Sequence, residues 1–264
     1  MKSSIIYFDG QYVSADRHTL KELQPGILHV RGVFETLLVE EQQLVFWNEH
    51  MARLRRGLRV LRLTCSLSNQ QLCRIANEVI QRNQKQNGVL RIAVWHNHCA
   101  IVWRSLKSTP STYRACISSY VRNRTSYSHI KTLRYRLFYE ALCEAKEQSY
   151  DEAILCNSRG EIVEGAVTNV FFVKNSVLHT PSTRCGCVNG IVRQVIINLA
   201  RKQKLSVNIG NFSKRKLLAA DEIFVTNSGI GVKPVMMVDQ NKIGQGCPGD
   251  ITRRLSKAYQ RIKN

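Results

Sequence analysis

Acidic residues are scarce in this 264-residue chain: 19 aspartates and glutamates stand against 39 lysines and arginines, a formal net charge of +20. That imbalance points to anionic ligands or a polyanionic partner and carries no information about fold. Long apolar runs are missing too. No stretch approaches the roughly 18–20 residues that a membrane-spanning helix requires, and Ile5-Ile6-Tyr7-Phe8 is too short an apolar stretch for a signal peptide. Proline is rare, at 5 residues, glycine numbers only 15, and hydrophobic residues make up 44%. Collagen-like and disordered chains are thereby excluded. The 9 cysteines are odd in number, scattered and set mostly in apolar stretches. They read as reduced thiols of a cytoplasmic protein, not as a disulfide framework.

What is present alternates strand and helix signals. Asp9-Gly10 supplies the turn of a hairpin over residues 5–14, and residues 33–39 and 43–47 form a second. Met51, Leu54, Leu58 and Leu61 recur at helical spacing, and Ser68 with Gln71 makes a capping box before a helix that buries Leu72, Ile75, Val79 and Ile80. Residues 89–95 and 99–103 read as strands paired across His96-Asn97-His98. The polar, proline-bearing stretch 106–112 reads as a linker. Beyond it come strands at 113–120, 153–156, 170–173 and 222–225 and helices at 133–148 and 190–201. A last helix has Asp250 as N-cap and buries Ile251, Leu255, Tyr259 and Ile262. The pattern predicts an α+β protein: a smaller N-terminal domain over 1–105, the linker 106–112, and a larger C-terminal domain over 113–264.

Several residues carry chemistry only in combination. Arg53 on its amphipathic helix fits either a solvated face or a bidentate phosphate ligand. Asn189-Gly190-Ile191-Val192-Arg193 opens a long helix, so the free N–H groups of its first turn suit an anion, although a plain loop glycine accounts for it equally. Thr226-Asn227-Ser228-Gly229 adds hydroxyl and amide donors after a strand, or is a plain turn. Lys131 fits a surface lysine or a nucleophilic amine held near the core, and Glu164 fits a turn carboxylate or an acid that holds a protonated pyridine. His96, His98 and Cys99 lack a fourth partner for a metal, and Cys185-Gly186-Cys187 has the wrong spacing for a redox pair. Arg122, Arg124, Arg134 and Arg136 interleave with Tyr120, Tyr127 and Tyr135, but no nucleic-acid-binding motif accompanies them.

The order of these pieces is more specific than any one of them. Phe8-Asp9-Gly10, Ala15-Asp16-Arg17, Gly32-Val33-Phe34-Glu35-Thr36, His50-x-x-Arg53-Leu54, Lys131-Thr132-Leu133, Glu164-Gly165-x-x-x-Asn169, Asn189-Gly190-Ile191-x-Arg193 and Asp221-Glu222-Ile223-Phe224 follow one another at compatible intervals. In this the chain resembles the fold-type IV pyridoxal-phosphate enzymes, or class IV aminotransferases. The resemblance implies a two-domain architecture like that of D-amino acid aminotransferase, working as a homodimer. It implies that pyridoxal 5'-phosphate is linked to the Lys131 amine, with Glu164 at the ring nitrogen and Arg53, the N–H groups of Ile191 and Val192, and Ser228 around the phosphate. Tyr135 is similar to the tyrosine that branched-chain enzymes place at the cofactor hydroxyl. Asn189 before Gly190 and Thr36 at the active-site threonine are similar to aminodeoxychorismate lyases. The expectation is therefore a lyase that converts 4-amino-4-deoxychorismate to 4-aminobenzoate and pyruvate, with Lys131 as base and acid and Thr36 assisting. The alternative is an aminotransferase for D-amino or branched-chain amino acids. A basic nucleic-acid binder without catalysis is the alternative from another class. The expected partner is a small anionic amino substrate, with no membrane and no metal.

Overall fold

Alternation of side chains along residues 32–40 decides how the first part of the protein is built. The computed structural model describes residues 4–15, 30–106 and 108–263. It divides into two units, Met1–Ser108 with Ile130–Arg136, and Thr109–His129 with Leu137–Asn264. Asp16 and Arg17 of the matching pieces, and Lys107 of the expected linker, lie outside the described residues.

In the first unit, β1 (Ser4–Phe8), β2 (Gln11–Ala15), β3 (Gly32–Glu40), β4 (Gln43–Leu44), β5 (Gly88–Trp95) and β6 (His98–Arg104) form one sheet in the order β2-β1-β6-β5-β3-β4. Every pairing is antiparallel. Val33, Leu37 and Val39 of β3 face α1 (Trp47–Val60) and α2 (Asn69–Arg82), whose Met51, Leu54, Leu58, Leu72, Val79 and Ile80 complete that core. Period two in the strand and period 3.6 in the helices bring these apolar stripes together. The capping box at α2 is formed: the Gln71 N–H donates to Ser68 Oγ at 3.2 Å and the Ser68 N–H to Gln71 Oε1 at 2.8 Å.

Phe34 lies on the other face of β3, packed with Ala93 and Leu133. Residues 130–136 are strapped beside it, with the Phe34 N–H donating to the Lys131 carbonyl at 3.0 Å and the Leu133 N–H to the Gly32 carbonyl at 2.9 Å. Gly32 is required there, because a Cβ would meet Leu133 Cδ1 and the Val94 carbonyl, each at 2.6 Å. The helix expected from residue 133 therefore starts later, as α3 (Arg136–Glu147). Backbone groups at 131 and 133 are engaged by the sheet edge before any helical turn can form.

The second unit adds β7 (Tyr113–Val121), β8 (Glu152–Cys156), β9 (Ile162–Gly165), β10 (Asn169–Lys174), β11 (Val177–Pro181), β12 (Val207–Gly210), β13 (Glu222–Asn227), β14 (Gly231–Val238) and β15 (Asn241–Lys242). They form one sheet in the order β12-β11-β10-β13-β14-β7-β8-β9, with β15 on β14. The pairs β11–β12, β14–β7 and β7–β8 are parallel and the others antiparallel. Helices α4 (Ile191–Lys202), α5 (Lys214–Leu218) and α6 (Asp250–Lys263) accompany it. Its core includes Ile154, Phe172, Val225 and Val235. Asp250 falls inside the first turn of α6 and is not its cap. Glu222 of β13 caps instead, accepting the Ile251 and Thr252 N–H groups at 3.1 and 2.7 Å. Thr252, Leu255 and Tyr259 are buried, whereas Ile262 in the last turn is 45% exposed. Helices and two sheets together give the α+β class. No helix among the described residues is long and apolar enough to cross a membrane.

Candidate active site

Strand alternation turns Glu35, like Val33 and Leu37, towards α1, where His50 and Arg53 stand three residues apart on the facing helix surface. Arg53 forks onto the carboxylate, Nε donating to Oε1 at 2.8 Å and Nη2 to Oε2 at 2.6 Å, and His50 Nδ1 lies 2.7 Å from Oε2. Glu35 and His50 are each only 1% exposed. Burial pushes Glu35 up, but the charge and hydrogen bonds of Arg53 and the His50 hydrogen bond outweigh it and hold the carboxyl at about 2. Burial pulls His50 down, further lowered by the charges of Arg53 and Lys131 and opposed by Glu35. Arg53 is thus a fixed, half-buried cation and not a solvated helix arginine.

The opposite face of β3 carries the lysine. Lys131 Nζ lies 4.5 Å from the Phe34 ring centroid and 5.7 Å from that of Tyr135, and the two rings meet edge to face with centroids 5.5 Å apart. Such a corner attracts the cation and keeps its stem dry. Thr36 stands on the same face, opposite Arg91 in the β3–β5 register. Arg91 lays its guanidinium 4.1 Å over the Phe34 ring. Its Nε is buried and has no hydrogen-bond acceptor among the described residues. Burial first, then the charge of Arg104, pushes Arg91 down to about 10, so it stays cationic at neutral pH. Sequence reading did not single out Arg91. The one available signal was a lone charge inside the apolar strand run Val89-Leu90-Arg91-Ile92-Ala93.

Glu164, Ile191, Val192 and Ser228 belong to the second unit, apart from the first group in the division of the chain. Glu164 on β9 is 4% exposed; its Oε2 accepts the Val188 N–H at 3.0 Å and its Oε1 lies 3.5 Å from Arg122 Nε. One of the arginines in the arginine–tyrosine stretch is thereby drawn into an internal ion pair. Two residues after Val188 comes Gly190, the N-cap of α4, with no side-chain capping hydrogen bond. Asn169 explains the glycine: its Nδ2 donates to the Val188 carbonyl at 2.9 Å, and a Cβ on Gly190 would meet its Oδ1 at 2.0 Å. Buried Arg193 braces the same loop, donating to the Pro181 carbonyl at 2.8 Å and to Asn189 Oδ1 at 3.1 Å. One short loop therefore joins a buried carboxylate to a helix start whose first N–H groups suit an anion. Ser228 follows β13 in a turn shaped by Asn227, whose Oδ1 accepts the Gly229 and Ile230 N–H groups, both at 2.9 Å. The Thr226 hydroxyl next to it is buried without a hydrogen-bond partner among the described residues.

His98 Nδ1 pairs with Asp9 Oδ2 at 2.5 Å and its ring stacks on Phe8, and no group of three or more metal-ligating residues occurs among the described residues.

Comparison with known proteins gives a consistent match. The amino-transferase class IV family model matches residues 32–238. A protein of Aquifex aeolicus described as a probable branched-chain-amino-acid aminotransferase is 29% identical, over 96% of this chain and 90% of its own length. Aminodeoxychorismate lyase of Bacillus subtilis is 25% identical, over 98% and 95%. The crystal structure of the branched-chain aminotransferase of Thermoproteus uzoniensis with norvaline superposes with a TM-score of 0.89 at 25% identity, covering 99% of this chain and 95% of that one.

Proposed function

The chain belongs to the class IV amino-transferases, enzymes that work with pyridoxal 5'-phosphate, and from that premise we propose that it moves the amino group of a small apolar amino acid to a 2-oxo acid. The observation that carries this is the corner on β3: the Lys131 amine against Phe34 and Tyr135, with buried Arg91 on the same face. The aromatic walls suit an apolar side chain and the guanidinium suits a carboxylate. Relatives described as branched-chain-amino-acid aminotransferases point the same way and weigh against the lyase expectation.

The residues fit the cofactor. The N-terminus of α4 has no side-chain cap, the Thr226 hydroxyl beside Ser228 is buried without a partner among the described residues, and Glu164 is a buried acid. On this reading the N–H groups of Ile191 and Val192, with Ser228 and Arg53, would hold the phosphate, Glu164 would keep a proton at the ring nitrogen, and Tyr135 would donate to the ring hydroxyl. Bound there, pyridoxal phosphate supplies an aldehyde for amine exchange and a protonated ring that draws electrons from the substrate's α-carbon. Lys131 Nζ would anchor the cofactor and would serve as general base and acid for the α-carbon proton. Arg91 orients the substrate carboxylate. The protein acts as a cytoplasmic homodimer, and sedimentation at micromolar concentration checks the dimer.

A second reading has its own support: Thr36 shares the face of Phe34, Asn189 precedes Gly190, and the Bacillus subtilis relative is an aminodeoxychorismate lyase. One assay pair separates the two. Leucine with 2-oxoglutarate should yield glutamate, strictly dependent on the 2-oxo acid. Pyruvate released from 4-amino-4-deoxychorismate without any acceptor would instead establish the lyase.

A further inference from the structure

Arg53, Arg91 and Lys131 use only a small part of the 39 lysines and arginines, so the proposed chemistry leaves most of the positive charge unexplained. The surplus is concentrated towards the C-terminus. From Gly190 onward the acids are Asp221, Glu222, Asp239 and Asp250 alone, and all four are engaged. Asp221 accepts from Lys174 Nζ at 2.8 Å and from the Asn175 N–H at 2.9 Å. Glu222 caps α6, Asp239 accepts the Ile117 N–H at 2.8 Å, and Asp250 pairs with Arg253 at 2.5 Å.

One surface of the second unit is left with cations. Arg254, Lys257 and Arg261 recur at i, i+3 and i+7 along α6 and form one exposed stripe. Thr252, Leu255 and Tyr259 are buried on the opposite side of the helix, which packs against β13, β14 and α4. Arg254 ties the stripe to the end of α4: its Nε donates to Gln203 Oε1 at 2.7 Å and its Nη2 to the Gln203 carbonyl at 3.2 Å. Gln203 is neutral, and exposed Arg201, Lys202 and Lys204 surround it in the chain. None of these six cations is ion-paired among the described residues. Like charges held on two packed helices raise the local potential and concentrate polyanions there.

We propose that this surface docks the phosphate backbone of a nucleic-acid duplex, without reading its sequence. The stripe runs about 10 Å along α6, against about 3.4 Å of axis per phosphate of one strand, and the end of α4 widens it. Arginine forks match phosphate oxygens, and contacts to phosphate alone carry no base preference. Single strands bind on exposed aromatic platforms, whereas Tyr259 of α6 is buried. A lipid surface needs an apolar face to enter it, and a protein partner needs apolar anchors. On α6 that face is spent on the core, with Ile262 its one exposed large hydrophobic residue.

The test titrates the full-length holoenzyme into a short fluorescent DNA duplex of mixed sequence at rising salt. Binding at micromolar protein in low salt is expected, with a log–log salt slope of about −4 to −5. The triple variant Lys202→Gln, Lys257→Gln, Arg261→Gln should flatten that slope by about 3 and weaken binding about 10-fold or more. Its melting temperature and cofactor absorbance should match those of the parent, because all three side chains are exposed and lie outside the proposed catalytic machinery. Arg56→Gln with Arg59→Gln and Lys85→Gln removes the same charge from exposed positions of the first unit and should bind as the parent does. In the unmodified protein the duplex should slow acetylation of Lys202, Lys204 and Lys257 but not of Lys85. Equal weakening in both triple variants, protection confined to other lysines, or no duplex binding at low salt would each overturn the proposal. So would tighter binding to the single strand, to polyglutamate or to phosphatidylserine vesicles than to the duplex.

Discussion

Single side chains carry the most specific claims. The Glu35–Arg53–His50 cluster is a buried ion network in which removing one member strands the others, so Glu35→Gln should cost about 3 kcal/mol of unfolding free energy in urea titrations. Arg91→Leu should raise KM for the amino acid about 10- to 100-fold, with a smaller change in kcat, because a ground-state carboxylate contact is lost. A KM unchanged within a factor of two would remove Arg91 from substrate binding. At this scale the sequence was partly legible. Arg53 and Lys131 stood out through their neighbours in order, whereas the pairing of Arg53 with Glu35 depends on a strand face meeting a helix face. Arg91 stayed hidden because a β-strand's composition does not reveal which of its charges is buried.

Elements show where local signals decide and where tertiary contacts override them. The capping box at Ser68 and Gln71 was readable because both partners lie within four residues of each other. The cap of α6 was not, because Glu222 reaches it from a strand 28 positions earlier than Asp250 and displaces the local acid from that role. Glu222→Ala should therefore cost about 1–2 kcal/mol, and Asp250→Ala much less, by thermal unfolding. The start of α3 was misplaced by three residues for the same kind of reason: Leu133 has the apolar character of a helix face, but its N–H is taken by Gly32. Gly190→Ala makes a sharper test of the anion site. Its Cβ would meet Asn169 Oδ1, shift the start of α4, and weaken retention of pyridoxal phosphate on dialysis more than it lowers melting temperature. Equal losses in both would mean that the glycine serves folding alone.

The whole molecule combines these pieces into a pH profile and a catalytic identity. His50 and Glu35 have folded pKa values below their ordinary 6.5 and 4.5, so their contributions are present above those values and fade as pH falls, for Glu35 towards about 2. Glu152 runs the other way. Fully buried, with its carboxylate accepting from the Thr168 hydroxyl at 2.8 Å, it is pushed from 4.5 to about 7 by burial against those hydrogen bonds. Its contribution is present below pH 4.5 and is lost as pH rises through 7. In Glu152→Gln, the stability difference from the parent should shift by roughly 3 kcal/mol between pH 4 and pH 8, in favour of the variant at the higher pH. The two-sheet α+β architecture and the family were legible from the order of the matching pieces. The choice between transamination and lysis was not, since Thr36 and Asn189 lie beside chemistry that both reactions share. Everything functional rests on one amine. Borohydride reduction of the purified holoenzyme, followed by peptide mapping, should place a pyridoxyl group on Lys131 and bleach the visible absorbance, and Lys131→Ala should lack both label and absorbance. A label on any other lysine, or full labelling in the variant, would contradict the account.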